Sequence, residues 1–366
     1  VCMNGKKITV LGGGAVARAT SAELSSFGFE VNMFELPQFE KNIRPIMKRG
    51  GIGFSGVAGR DFAKLNMVTT NAKQGLQDVD LIILAAPAYG HQAFIEACLP
   101  HLQNGQIFLI ETAYYGCLRF AKTVHYTGKQ VIMAEMNHTP YTCTNIGPAD
   151  VYIDARRKEV FVAALPAKYT QKVIGFLKSV YTGMTSVPNV LQTSLDNVNW
   201  IAHPAITMFH RGLIERSKQF TLPLKESLPP SAIRLMEAMD EERLELGKAF
   251  GLDLPPIKHT YEFGGDTLKE ALWRSTEFET FKFEYENGSN QYLEEDLYYG
   301  LPPFVSLASL ADVPTPTMKS VLQIFSVIDN VCYMKEGVNA EKMGLSGLDT
   351  REVLKLVEEG LGKKKY

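Results

Sequence analysis

The sequence predicts an N-terminal α/β domain with a doubly wound, mainly parallel sheet, followed by an all-α C-terminal domain. Three observations predict it. A short apolar run, a glycine turn, a helical stretch and a second apolar run succeed one another within the first 35 residues. Near-continuous apolar runs then alternate with helical stretches, as strands of a parallel sheet buried on both faces do. Beyond residue 190 the apolar period shifts toward 3.6 residues.

At roughly 100–200 residues per domain, 366 residues suggest two domains. The expected boundary lies at the proline-containing stretch SVPNVL, giving domains of 1–187 and 188–366. A net charge of −2 supplies no field that would attract nucleic acid or an anionic membrane. No apolar run approaches the roughly 18–20 residues that span a bilayer. The opening VCMNGKKITV enters a strand without a basic head and apolar middle, and KKK at 363–365 reads as a solvated tail. The five cysteines (Cys2, Cys98, Cys117, Cys143, Cys332) are odd in number, scattered and without a CxxC pair. They imply reduced thiols, a cytoplasmic location and no zinc cluster.

Each element of the first half follows from its residues. KKITVL at 6–11 is a β-branched apolar run. GGGAVA follows, then the helical RATSAELSSFG ending at Gly28, then the strand FEVNMFE at 29–35. The turn has the form G-x-G-x-x-A, with Gly12, Gly14 and Ala17 in the motif positions. The first glycine permits the tight turn, the second lets backbone approach a pyrophosphate, and the small third residue allows helix–strand packing. The helix N-terminus presents free N–H groups to the phosphates. Strand before and helix after are the context that such a motif requires. Glu35 closes the second strand 21 residues after Gly14, where a carboxylate accepts hydrogen bonds from an adenosine ribose. Its charge repels a 2′-phosphate, so the cofactor expected is NAD. Arg44 downstream is a cation that leaves NADP open.

VDLIILAAP at 79–87 is the next buried strand, ending in Ala85, Ala86 and Pro87 where ligands sit in open α/β sheets. The helix HQAFIEACLPHL, the strand QIFLIE at 106–111 and the turn ETAYYG follow. Further strands are expected at KQVIMAE and KEVFVAALP. In the second half SAIRLMEAMDEERLELGKAFGL at 231–252 places Ala232, Met236, Met239, Leu246 and Phe250 near one face. Ser231 is the expected N-cap and Gly251 the expected C′ glycine. TPTMKSVLQIFSVIDNVCYM at 315–334 and DTREVLKLVEEGLG at 349–362 are two more helices, the latter capped by Asp349 or Thr350. The segment 275–304, rich in Tyr, Phe and Pro, reads as loops.

SLDNVNWIAHPAITM at 194–208 raises a functional question, because a helix with so much apolar surface carries Asn197, Asn199 and His203. Asn199 and His203 share a face at i and i+4, with Asn197 nearly two turns back. Interhelical hydrogen bonding and a substrate-binding role explain the two amides equally well. Pro204 disfavours α geometry in the residue before it, so a helix break is expected there.

Together TSLDNVNWIAHP (193–204), YLEEDLYYGLPP (292–303), VPTP (313–316) and KMGLSGL (342–348) resemble the opine dehydrogenases, over nearly the whole chain. The resemblance implies NAD-dependent reductive condensation of a 2-oxo acid, such as pyruvate, with the amine of an amino acid. It pairs His203 with Asp296 as a catalytic dyad; the two are 93 positions apart and spacing alone would not join them. A histidine exchanges protons near neutral pH, and a carboxylate on its other nitrogen fixes the tautomer and stabilises the imidazolium. Asn197 and Asn199 are candidates to hold the carboxylate or amide of a substrate or the cofactor carboxamide, the resemblance implies a substrate contact at 291, and a homodimer is a possible assembly. Position 291, where the family pattern carries an arginine that clamps the oxo-acid carboxylate, is Gln291, which lacks a charged bidentate fork. Arg211 is an alternative cation. His138 and Cys143 are candidates for lining the substrate cleft, with core or loop roles equally open, Cys143 as a contact and not as a nucleophile. His91 is a helix-start residue that is either solvated or near the cofactor.

Two other functions fit the same plan. A hydroxy-acid or ketopantoate-type reductase would reduce a ketone without an amine, typically with a lysine acid that NVNWIAHP lacks. A non-enzymatic nicotinamide-binding sensor would keep Gly12, Gly14 and Glu35 but have no use for a His/Asp pair. No HExxH or His/Cys cluster suggests a metal.

Overall fold

The computed structural model describes residues 6–178, 181, 183–226, 228–261, 264–275, 282–286 and 290–362. Cys2 and the KKK tail lie outside the described residues. The chain divides into two compact units, Val1–Ser194 with Lys355–Tyr366, and Leu195–Leu354.

The first unit is built on an eight-stranded sheet. Its strands are β1 (Lys7–Leu11), β2 (Glu30–Phe34), β5 (Met67–Thr69), β6 (Leu81–Leu84), β7 (Ile107–Ile110), β8 (Ile132–Met136), β11 (Val160–Leu165) and β12 (Met184–Ser186). The order is β12-β11-β8-β7-β6-β1-β2-β5. All neighbours are parallel except β11 against β8. The chain turns from β1 to β2 on one side and returns to β6 on the other, so the order reverses at β1. In register, Leu11 stands opposite both Phe34 and Leu84, which brings the carboxyl ends of three strands level. Ligands bind outside such ends.

A second sheet, with no counterpart in the sequence reading, comprises β3 (Gly51–Gly56), β4 (Asp61–Lys64), β9 (Tyr141–Gly147) and β10 (Asp150–Arg156), ordered β4-β3-β10-β9. Helix α1 (Ala15–Ser26) has all residues from Ala17 to Leu24 buried. Eight consecutive buried positions cannot share one face of a helix, so α1 is covered on all sides. Its small residues suit that enclosure, and its two charged ones find partners: Glu23 accepts from Arg156 Nε of β10 at 2.8 Å, and Arg18 bonds three carbonyls. Two further helices, α2 (His91–Cys98) and α3 (Gly116–His125), follow β6 and β7.

The second unit is predominantly helical. It holds α4 (Asn199–Arg216), α5 (Pro230–Ala249), α6 (Gln291–Tyr299), α7 (Leu301–Leu310) and α8 (Pro316–Asp329). Along α5 the five predicted face residues are all buried. The expected cap at Ser231 is displaced: two prolines start the helix, with Pro229 at the N-cap and Pro230 at N1. Gly251 ends it at φ +67°, and Leu252 N–H returns to the Gly247 carbonyl. The predicted helix over 315–334 stops at Asn330, in the left-handed region. The last helix, Thr350–Glu359, is capped by Asp349, which bonds Glu352 N while the Glu352 carboxylate bonds Asp349 N.

The described residues of 282–286, 291–299 and 301–304 are strand and helix, not loop. KFEYE forms β14 (Lys282–Glu286), pairing antiparallel with β13 (Gln219–Pro223), and α6 and α7 follow. Phe283 and Tyr285 face inward while Lys282, Glu284 and Glu286 face out, the alternation of a half-buried strand. Asn290 caps α6 by accepting from Tyr292 N. Among the described residues no helix is long and apolar enough to cross a membrane.

Candidate active site

The glycine turn follows β1 and contacts the turn after β6. A Cβ on Gly12 would lie 2.7 Å from the Ala85 carbonyl oxygen, and Gly12 has φ +115°, so only glycine fits. A Cβ on Gly13 would meet Glu35 Oε2 at 3.0 Å as well as Ile43 and Asn42. A Cβ on Gly14, the N-cap of α1, would meet nothing within 4 Å. Gly14 is therefore exposed at the start of α1, while Ala17 packs in the core.

Glu35 is buried at the end of β2. Burial pushes its carboxyl up from the ordinary range, opposed by bonds from Leu36 N–H, the Asn42 side chain and Gly13 N–H. A carboxylate beside the glycine turn and a backbone cradle fit a dinucleotide. Arg44, in contrast, lies exposed beside Glu40 at 3.3 Å.

The turn after β6 leaves Ala86 partly exposed and Pro87 exposed. His91, at the start of α2, is fully buried beneath it, neither solvated nor open to a ligand. Its Nε2 bonds the Ala86 carbonyl at 2.9 Å, and burial drives its pKa down to about 3, so the ring is neutral and Nε2–H donates. After β7, Thr112, Tyr114 and Tyr115 adopt φ of +75°, +39° and +57°. Three non-glycine residues in the left-handed region within four positions store strain, a frequent mark of functional turns. The turn is held from below. Tyr115 N–H donates to Ser194 Oγ at 2.9 Å, and Ser194 and Thr193 donate to buried Glu135, which also accepts from Cys117 N–H at 2.8 Å.

Cys143 lies on β9, packed against the core of the first unit, and burial pushes its thiol up to about 12. His138 is buried just past β8.

In the second unit the break in SLDNVNWIAHPAITM falls upstream of its predicted place. A short helix, Val190–Leu195, ends; Asp196 is buried against Arg243 at 3.2 Å; α4 then starts at Asn199 and passes through Pro204 unbroken. Asn197 is therefore not two turns back on the same helix. It precedes α4, and its Oδ1 accepts from Asn199 N–H at 3.3 Å, a local side-chain turn. Its buried Nδ2 has no partner among the described residues.

His203 sits one turn into α4 from Asn199. Its Nδ1 lies 2.8 Å from Asp296 Oδ2 of α6. The aspartate side chain is fully buried and the imidazole retains 14% exposure. Two rings wall the imidazole: Phe283 of β14, edge-on at 4.8 Å, and Tyr292 of α6 at 5.9 Å. One turn on, Thr207 Oγ1 meets Tyr285 Oη at 2.7 Å. Tyr292 precedes Asp296 by four residues on the same helical face. Sequence reasoning missed it by treating the segment as loop. Gln291, next to it, is exposed at the first position of α6. Arg211 is engaged by Asp329 at 2.6 Å and Glu215 at 2.8 Å, which removes it as a simple replacement for the missing arginine. Among the described residues no group of three or more metal-ligating side chains occurs.

A family model described as NAD/NADP octopine/nopaline dehydrogenase, alpha-helical domain, matches residues 186–328. An opine dehydrogenase of Arthrobacter sp. (strain 1C) is 30% identical over 359 residues, covering 96% of this chain and 99% of the relative. The chain belongs to the opine dehydrogenase family. It is accordingly an NAD(P)-dependent oxidoreductase that acts on the CH–NH bond of a secondary amine, joining a 2-oxo acid to an amino acid by reductive condensation. The fold agrees. An octopine dehydrogenase solved with NADH and L-arginine superposes with a TM-score of 0.78 at 16% identity, over 99% of this chain and 100% of that one. An NADP+-bound yersinopine dehydrogenase superposes at 0.73 with 15% identity, over 98% and 99%.

Proposed function

We propose that this family member uses NADH in preference to NADPH, with His203 as the proton-transfer residue and Asp296 as its orienting partner. The observation that carries the reading is the 2.8 Å contact between Nδ1 and a fully buried carboxylate, with the imidazole edge still exposed. Asp296 occupies Nδ1, so Nε2 is the nitrogen that exchanges protons with the condensing pair. When the amine adds to the oxo-acid carbonyl, the departing hydroxyl takes a proton from Nε2 and leaves as water. The paired carboxylate stabilises the imidazolium each time the ring is charged. Phe283 and Tyr292 keep the ring fixed and exclude water from its flanks. When bound, reduced nicotinamide supplies the hydride that converts the protonated imine left by the departing water into the secondary amine.

Gly12, Gly14, Ala17, Glu35, Ala86 and Pro87 are assigned to the cofactor, on the cradle around the glycine turn and the carboxylate facing it. Asn199, one turn before His203, and Asn197, with its buried unpartnered amide, are assigned to substrate carboxylates, with Gln291 at the entrance. A homodimer in the cytoplasm completes the reading, supported on location by four free thiols among the described residues.

The test crosses several 2-oxo acids with the common amino acids and follows NADH absorbance. The expected result is oxidation only when both partners are present. Turnover with an oxo acid alone would favour a ketone reductase, and NADPH outperforming NADH would refute the cofactor preference.

A further inference from the structure

Helix α1 contains a cation where its own electrostatics disfavour one. Arg18 lies in the first turns of the helix, near the positive end of the helix dipole, and is only 6% exposed. Burial weighs against its charged form, offset in part by Asp150. All three guanidinium nitrogens are nonetheless used, and all three on backbone carbonyls. Nε donates to Gly13 O at 3.1 Å, Nη1 to Gly147 O at 2.9 Å and Nη2 to Asn42 O at 3.0 Å. One side chain thus joins the glycine turn, the segment after β2 and the β9–β10 turn.

The bond to Gly13 has a geometric consequence. In a trans peptide the carbonyl and the following N–H point in opposite directions. Holding the Gly13 carbonyl toward Arg18 turns the Gly14 N–H away from it. Gly14 is the residue whose built Cβ meets nothing, so it borders open space. The bond to Asn42 acts on the same site, because Asn42 contacts Gly13 and its side chain bonds Glu35. A pyrophosphate at the N-terminus of α1 would also offset the cation that the helix dipole opposes.

We propose that Arg18 is a positioning residue for dinucleotide binding: it fixes the Gly13–Gly14 peptide with its N–H toward the pyrophosphate and braces Asn42 beside Glu35. The inference rests on the nicotinamide reading above. It is tested by calorimetric titration of the native chain, Arg18→Lys and Arg18→Gln with ADP-ribose and NADH, beside steady-state kinetics. Loss of charged hydrogen bonds should raise Kd for ADP-ribose about tenfold or more, with Arg18→Lys closer to native than Arg18→Gln. KM for NADH should rise by a similar factor, with a smaller effect on kcat and on KM for the oxo acid and the amine.

Folded variants that bind ADP-ribose as the native chain does would overturn the proposal. So would an equal rise in KM for all three reactants, the mark of a merely structural role. Should neither variant fold, the native chain decides: with 15N-glycine labelling, ADP-ribose should slow hydrogen exchange at the Gly14 amide, and an unaffected Gly14 would refute the idea. Failure of the native chain to bind ADP-ribose would remove the nicotinamide reading itself and this inference with it.

Discussion

Replacing Asp296 by asparagine tests the proposed dyad most directly. The side chain keeps its shape but loses its charge, and its amide can present N–H to His203 Nδ1 and invert the tautomer. The native contact is 2.8 Å. With an effective dielectric of about 20, attraction between carboxylate and imidazolium at that distance is roughly 6 kcal/mol. Partial solvent contact at the imidazole leaves about 4–5 kcal/mol, which corresponds to about 10³–10⁴ in rate. The assay is single-turnover oxidation of bound NADH after mixing with a productive oxo acid and amino acid. Nicotinamide fluorescence confirms that cofactor still binds, and a melting curve that the protein is folded. An Asp296→Asn variant that binds NADH and turns over within tenfold of native would refute the orienting role of Asp296. A His203→Ala variant with native activity would refute that of His203.

Three further outcomes are expected. Gly12→Ala should weaken NADH binding at least about tenfold, because a Cβ there is 2.7 Å from the Ala85 oxygen at φ +115°; calorimetry reads it. Arg211→Met should leave KM for the oxo acid within about twofold of native but lower stability by about 1–2 kcal/mol in urea, since partly buried Asp329 loses its ion-pair partner and keeps the Tyr333 hydroxyl; a large rise in that KM would restore Arg211 as the carboxylate clamp. Buried Glu111 bonds Tyr181 and Thr20, and burial raises its pKa from 4.5 to about 7. A carboxyl whose pKa is raised on folding binds its proton more tightly in the native state, so its contribution is full below pH 4.5 and lost as pH rises to about 7. Glu111→Gln should therefore gain on the native chain by up to roughly 3 kcal/mol between pH 4.5 and pH 8 in denaturant unfolding; a difference independent of pH would refute this.

The parts of this fold that sequence made visible are those with a local cause. The glycine turn, the buried strand LIIL, the face of α5 and the Asp349 cap each follow from a few neighbouring residues. Parts with distant causes stayed hidden. The second sheet joins residues near 50–64 to others near 141–156, and its glycine-rich β3 carries no clear alternation. KFEYE does alternate, but five residues among aromatic neighbours did not stand out as a strand. Proline produced two misplacements. Pro230 started α5 one residue ahead of the expected serine cap, and Pro204 was accommodated within α4 while the break fell at the buried Asp196. Within the candidate site, His203 and Asp296 were paired by family resemblance. Tyr292, Phe283 and Arg18 emerged only from geometry.

The enclosure of α1 also bears on how the chain is made. Its polar partners come late: Gly147, which receives Arg18, is 129 residues downstream, and Arg156, which binds Glu23, is 133 downstream. During synthesis the helix leaves the ribosome long before the strands that cover it. Until they arrive, the carboxylate of Glu23 and one of the three guanidinium nitrogens of Arg18, Nη1, must stay hydrated or be buried without those partners. The nucleotide-binding half therefore gains its full enclosure of α1 only when β9 and β10 are present, and a fragment ending near residue 140 would hold the complete glycine motif without the two strands that bind Glu23 and the third Arg18 nitrogen.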